Sequence, residues 1–416
     1  MKNNTLPVIM APAGTPEALA AALQAGAGAV YFGVGILNMR AGAAANFRIE
    51  DLPEVAARCH AAGAKAFLTL NVVVFDRELE TVERICAAAK AAGVDAVIAA
   101  DFAVILIARR HGLSVHTSVQ ANICNFEAVR FHAQFADLVV LARELALDEI
   151  AGIIRRIHAE DLRGPSGKPL QVELFVHGAL CSSFSGKCYL SLTSYNASAN
   201  RGECLQNCRR RYKVTDMETG AEQEIANGYT MSAADLCMIR FVPELMAAGA
   251  DVWKIEGRGR GADYVHTVTE VYREAINACA DGTFTADRAA IWRERLSTVF
   301  NRGFWDGGYY LGEDFGVWSG SGGNASPLVK TMVGKVVNYY SKIGVAEIMI
   351  TGEKPRHGDR LMIIGSTTGV AEFDCDSPQP HPGNLATFRV PSAVRENDAV
   401  YMVKPRRFGS GSGGKQ

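Results

Sequence analysis

The sequence predicts an α/β fold: a (β/α)8 TIM-like barrel with a cysteine-bearing insertion after strand seven, followed by a small C-terminal antiparallel β-barrel domain. Three observations carry this reading. First, one phrase recurs through the first 260 residues: an alanine-rich amphipathic segment stops at a glycine and a short β-branched run follows. It occurs at Gly26 before AVYFGV, Gly63 before AFLTLNVVV, Gly93 before AVIAAD and Gly249 before VWKIEG. Second, about 75 residues separate the seventh such run from the eighth, and they hold a cluster of cysteines. Third, from Val333 the pattern changes to short alternating runs between glycine turns.

The recurring glycine suits the left-handed conformation that ends a helix. The run after it suits a strand buried on both faces. Repetition of such a unit means a parallel sheet. The expected strands are Val8–Ala11, Ala29–Gly33, Ala66–Val72, Ala96–Ala100, Ser114–Val119, Leu138–Ala142, Val172–Val176 and Val252–Ile255. Eight of them favour a barrel, with a doubly wound sheet as the other arrangement. Thr15-Pro16-Glu17 is a helix start, with a capping hydroxyl, a first-turn proline and an early acid. Helices are expected at Ala262–Ala280 and Asp287–Val299. The expected boundaries are 1–300 for the barrel domain, including the insertion 178–250, then 301–326 as a glycine- and aromatic-rich linker. The small β-barrel domain follows at 327–408, and 409–416 is a flexible tail.

Composition narrows the class. The 416 residues are 48% hydrophobic and 21% charged, enough to bury a full core, and the net charge of −1 supplies no global basic field for nucleic acid. No apolar run is long enough for a membrane span, and the N-terminus lacks the apolar segment and cleavage site of a signal peptide. A cytoplasmic location is therefore expected, where thiols stay reduced.

Cys181, Cys188, Cys204 and Cys208 fall within 28 residues, with gaps of six, fifteen and three. Thiolates gather to form disulfides or to bind a soft metal centre. Structural zinc sites favour pairs two to four residues apart, and only Cys204 and Cys208 fit that habit. The polar loop SSFSGK between the first two can curl around a bulky cluster and offer amide donors. An iron–sulfur cluster is the leading reading, with zinc and disulfides as alternatives, and Cys237 is a rival fourth ligand.

In a barrel the active site lies at the carboxyl ends of the strands. Those ends carry Asn71, Asp101, Gln120, Asn122, Arg143, His177, Glu256 and Arg258. Lys254, Glu256 and Arg258 alternate along the eighth strand and so share a side. They read either as a structural ion-pair set or as an anion clamp with a positioned carboxylate, Arg258 being able to grip a carboxylate or phosphate bidentately. His177 is a candidate general acid or base. Gln120, Asn122 and Asn71 offer amides to fix a substrate. Arg209 and Arg210 follow the last cysteine and are candidates for phosphate contact. His116 reads as a core histidine.

The segment E-x-F-x-x-G-A-L-C-x-x-x-x-S-G-x-C-x-L-S, here Glu173 to Ser191, resembles the signature of the collagenase-like peptidases, family thirty-two of those of unknown catalytic type (the PrtC group). Ala11–Gly14, Ser118–Asn122, Met231–Leu236 and Lys254–Arg258 match further family pieces in order. The resemblance is strongest to the tRNA uridine hydroxylation branch (TrhP). It implies a 4Fe-4S cluster, a tRNA substrate carrying the wobble uridine to be converted to 5-hydroxyuridine, and prephenate as a small carboxylate co-substrate. Ribosomal RNA cytidine hydroxylation and ubiquinone synthesis are other activities of the family. Its name implies a peptidase instead, yet the chain has neither H-E-x-x-H nor G-x-S-x-G.

Overall fold

The computed structural model describes residues 6–184, 186–223, 229, 231–305, 318–321 and 323–406. The expected tail, much of the expected linker, and Ser185 of the signature lie outside these.

Seven strands pair in chain order and in parallel: β1 (Val8–Ala13), β2 (Ala29–Gly33), β3 (Lys65–Thr69), β4 (Ala96–Ala99), β5 (Ser114–Thr117), β6 (Leu138–Val140) and β7 (Gln171–Ala179). The insertion follows, with a small hairpin of β8 (Val214–Thr215) and β9 (Glu222–Gln223), and then β10 (Asp235–Cys237). The eighth barrel strand, β11 (Val252–Ile255), pairs in parallel with β7 on one side and β1 on the other, which closes the barrel.

Helices α1 (Pro16–Gln24), α2 (Leu52–Ala61), α3 (Leu79–Ala91), α4 (Phe102–Arg110), α5 (Phe126–His132) and α6 (Leu147–Ala159) fill the crossovers. The insertion carries α7 (Leu190–Tyr195), α8 (Val242–Ala248) leads into β11, and α9 (Ala262–Ala280) and α10 (Ala286–Ser297) end the barrel. The recurring glycines behave as their position demands: Gly26, Gly63, Gly93 and Gly249 have φ of 79°, 72°, 77° and 83°. At α1 the Thr15 hydroxyl accepts from the Ala18 amide at 3.2 Å, with Pro16 opening the helix.

The barrel interior is an apolar layer of Met10, Tyr31, Phe67, Ile98, Leu138 and Val140, with larger clusters between strands and helices. Several strands end elsewhere than expected. β3 and β5 stop at Thr69 and Thr117, ahead of the residues that reach the barrel mouth. β7 runs on to Ala179 because β10 pairs antiparallel with its last three residues, and β12 (Phe304–Trp305) extends that flank. Runs of two or three residues show no periodicity, so β10 and β12 left no sequence signal.

The second sheet is antiparallel. Its strands are β13 (Leu328–Tyr340), β14 (Val345–Ile350), β15 (Arg360–Gly365), β16 (Gly369–Asp374), β17 (Gln379–His381), β18 (Leu385–Arg389) and β19 (Ala399–Pro405). They pair in the order β16-β15-β19-β13-β14-β18-β17 around one core that includes Val336, Ile348, Ile363, Phe388, Val400 and Met402. Among the described residues no ladder joins β16 to β17. The Gln24 side chain exchanges two 2.8 Å hydrogen bonds with the Val370 backbone, seating this sheet against α1. Among the described residues no helix is long and apolar enough to cross a membrane.

Candidate active site

The carboxyl ends of the barrel strands open into a cavity of about 610 Å³, bordered by the insertion. Asn71, Gln120, Arg143, Arg209, Lys254, Glu256 and Arg258 all line it, together with Cys181, Cys188, Cys204 and Cys208. The barrel thus brings together residues separated by nearly 190 positions in the chain.

The cavity floor is charged and buried. Lys254 donates to Glu173 at 2.9 Å, and Glu173 is fully buried with its second carboxylate oxygen unpartnered. Burial pushes the Glu173 carboxyl up, and Lys254 opposes that rise. Glu256 accepts from Arg40 at 2.6 and 3.2 Å and from the Tyr31 hydroxyl at 3.1 Å. Burial works against its ionisation, yet Arg40, and then Arg258 and Lys254, hold its carboxyl down at about 2. Glu256 is therefore a carboxylate across the physiological range.

Arg258 is only 3% exposed and donates to the Thr69 hydroxyl at 2.7 Å. Among the described residues it has no carboxylate partner, and burial pulls its guanidinium down to about 10. A buried unpaired cation facing a cavity favours an anion there. The backbone makes room for it: a side chain at Gly33 would collide with the Arg258 guanidinium and with Asn46. Gly33→Ala is therefore expected to fold as a barrel but displace Arg258 and weaken carboxylate binding about tenfold or more, measured by calorimetric titration. Among the described residues that line the cavity, Arg40, Arg143, Arg209, Lys254, Arg258, Arg260 and Arg302 face one carboxylate, Glu256. The protein as a whole is nearly neutral, so this positive field is local.

The insertion is held at several points. Arg201 donates to both oxygens of Glu78 and to the Val73 carbonyl, while Gly202, left-handed at φ 84°, accepts from the Gly42 amide at 3.2 Å. Arg209 donates to the carbonyls of Leu180 and Ala233 and to the Ser232 hydroxyl. These bonds fix the segments on either side of Cys181, Cys204 and Cys208. All four thiols are free. Burial pushes the Cys208 thiol up, and the Ser182 hydroxyl and Arg209 oppose it. Among the described residues no three His, Cys, Asp or Glu side chains meet closely enough to enclose a metal ion. In its chemistry the donor set, four thiols that line the same cavity, is of the soft type such a metal centre takes.

Other expected residues lie elsewhere. His177 does not line the cavity. It is 2% exposed, packed among Tyr264, Tyr272 and Phe304, and burial drives it down to about 3. The cause is a register shift: Lys254 pairs with Phe175, but Ile255 pairs with His177, so one extra residue turns His177 onto the outer face. This removes it from acid–base work in the cavity. Asn122, at φ 51°, caps the turn after β5 and is not on the cavity wall. Arg210 is exposed and stacks on Tyr195, its guanidinium 4.9 Å from the ring centre, outside the cavity. Cys237 is fully buried in the hydrophobic core and does not line the cavity that the other four cysteines share. Asp101 caps α4 through the Ala103 amide. His116 is a core histidine against Phe67, driven down to about 3 by burial.

Sequence reasoning missed Arg40, Tyr31, Glu173, Arg260 and Arg302. Arg40 lies in the long loop after β2, at the barrel end that carries the site, and its loop position was the available signal. Glu173 stood in plain view as a charge inside an apolar strand.

A family model described as "Peptidase family U32" matches residues 14–318. This chain belongs to peptidase family U32. Among U32 relatives it is 48% identical over 406 residues to "Collagenase" of Porphyromonas gingivalis, covering 96% of this chain and 98% of that one. It is 35% identical over 306 residues to "tRNA hydroxylation protein P1" of Bacillus subtilis, covering 71% of this chain and 69% of that one. It is 32% identical over 286 residues to "23S rRNA 5-hydroxycytidine C2501 synthase" of Escherichia coli, covering 68% of this chain and 41% of that one. The U32 signature residues fall on the cavity and its borders: Glu173, Phe175, Cys181, Gly186 and Cys188. The matches to the RNA-hydroxylation relatives cover 71%, 68% and 72% of this chain, too little to span both the barrel and the whole second sheet.

Proposed function

We propose that this U32 protein is an iron–sulfur-dependent enzyme that hydroxylates a nucleobase of RNA, with the tRNA wobble uridine as substrate and 5-hydroxyuridine as product. The observation that carries the reading is the sharing of one cavity by four free thiols and a cationic barrel mouth. The names of the RNA-hydroxylation relatives support the reaction class. Cys181, Cys188, Cys204 and Cys208 would hold a 4Fe-4S cluster, which supplies one-electron chemistry when bound. Prephenate, by resemblance the co-substrate linked to the oxygen, would place a carboxylate on Arg258.

Each wall then has a task. Arg258 binds the carboxylate and Arg143 adds positive field at the rim. Asn71 and Gln120 are tied together by bonds of 3.1 and 2.8 Å, which fixes both side chains on the cavity wall. Glu256, fixed by Arg40 and Tyr31, is a permanent acceptor for a substrate N–H or O–H. Met39, Ile98 and Phe175 supply apolar surface that excludes water. RNA as substrate places the work in the cytoplasm.

The identity to a collagenase-named relative favours a peptidase as second reading. Among the described residues, however, no histidine lines the cavity to activate a cysteine there. Nucleoside mass spectrometry on RNA from a strain lacking the gene tests both. The expected result is loss of a pyrimidine nucleoside bearing one added oxygen, restored by the wild-type gene and not by Glu256→Gln. Unchanged RNA, with gelatin cleavage by the purified protein, would restore the peptidase.

A further inference from the structure

The cavity's positive charge falls into two groups. Arg40, Lys254 and Arg258 sit over the barrel floor, where Glu256 and Glu173 engage the first two. The other group is Arg260, on the loop after β11, Arg302, on the chain that leaves α10, and Arg209, from the insertion. Phe300 lies between two of these guanidiniums, 3.4 Å from Arg260 and 5.1 Å from Arg302 to the ring centre. Such stacking fixes two flat cations and leaves their N–H edges available.

Those edges are poorly satisfied. Arg302 is 5% exposed, reaches Asp235 at 3.4 Å and Gln206 at 3.2 Å, and its Nε has no partner among the described residues. The Arg260 guanidinium has only its ring contact among the described residues. Among the described residues Asp235 is the one carboxylate paired to this group, and Glu256, also within electrostatic reach of Arg260, is already held by Arg40. Burial, followed by the charge of Arg302, pulls Arg260 down to about 10, the signature of cations lacking a counter-ion. Burial pushes the Asp235 carboxyl up, against the opposing pull of Arg302, Arg260 and Arg209.

We propose that Arg260 and Arg302 form a phosphate-binding subsite, separate from the Arg258 pole. Two guanidinium edges on one wall match the oxygens of a tetrahedral anion, and phosphate is the common anion that takes several such bonds. Arg209 has spent its donors on carbonyls and adds field rather than contact. In loops after the last strands of a parallel barrel, phosphate is a frequent ligand. The phosphate has two sources, a phosphodiester of an RNA strand or a phosphomonoester on a small molecule.

Calorimetric titration of the full-length protein with inorganic phosphate tests the subsite, with a short single-stranded RNA followed in parallel by fluorescence anisotropy. Phosphate is expected to bind, and Arg260→Gln to weaken it at least tenfold. Arg302→Lys, which keeps a cation for Asp235, is expected to weaken it similarly at an unchanged melting temperature. If phosphate displaces the RNA and Arg260→Gln weakens both, the source is the RNA backbone. If the variant weakens phosphate alone, the source is a small phosphorylated molecule. No measurable phosphate binding, or equal binding in the wild type and either folded variant, overturns the subsite. RNA modification is not assayed, so this result and the hydroxylation reading stand or fall separately.

Discussion

Replacing Lys254 by methionine is expected to destabilise the barrel by about 3–5 kcal/mol, because it leaves a buried carboxylate without its counter-ion. Glu173 is 0% exposed, and its second oxygen already lacks a partner. Tyr31 and Phe175 pack over the Lys254 ammonium, so little water can enter to compensate. The double variant Lys254→Met with Glu173→Leu removes both charges and is expected to recover most of the loss. The pH dependence has a definite sign. Burial raises the folded-state pKa of Glu173 above its unfolded value, and removing Lys254 takes away the opposing influence. A raised carboxyl adds stability at low pH that is lost as pH rises through the folded-state pKa. The single variant should therefore be closest to wild type in acid and fall away toward neutral pH. Urea unfolding at a series of pH values checks this, and a double variant no more stable than the single one would count against the buried pair.

Arg258→Met is expected to lower turnover by about 10²–10³, the usual loss on removing a preorganised donor to a charged centre. Stability should be unchanged or higher. The guanidinium is buried without a carboxylate partner, so its removal ends a desolvation cost and forfeits one hydrogen bond, to Thr69. Thr69 keeps its own bond to the Phe32 carbonyl at 2.9 Å. Activity lost at no cost in stability distinguishes a binding group from a structural one. Product formation and urea unfolding on the same preparation supply the two readings, and a drop in stability matching the drop in activity would make Arg258 structural.

Much of the barrel was legible because its signals are local. Each Ala-Ala-Gly stop needs only a left-handed glycine and an apolar run behind it, and the strand it introduces follows within a few residues. The four cysteines were legible for the same reason, being crowded into one stretch. The site's electrostatics were less so. Arg40 and Glu256 meet across 216 positions, a pairing that no periodicity announces. His177 shows how one residue can invert a prediction. Strict alternation after Glu173 and Phe175 points it into the cavity, and the shift opposite Lys254 and Ile255 turns it out against Tyr272. Asn122 was misread because an asparagine at a strand end serves equally as a substrate amide and as a left-handed turn residue.

The iron–sulfur cluster proposed for the cavity thiols has a direct test. The direct measurement is iron and sulfide content with a visible absorption spectrum, on protein purified without oxygen. It would compare wild type with Cys181→Ala, Cys188→Ala, Cys204→Ala, Cys208→Ala and Cys237→Ala. The account predicts about four irons per chain in the wild type, loss in each of the four cavity variants, and retention in Cys237→Ala, whose thiol lies in the core. Wild-type protein without iron, or iron retained when Cys204 is removed and lost when Cys237 is removed, would contradict it.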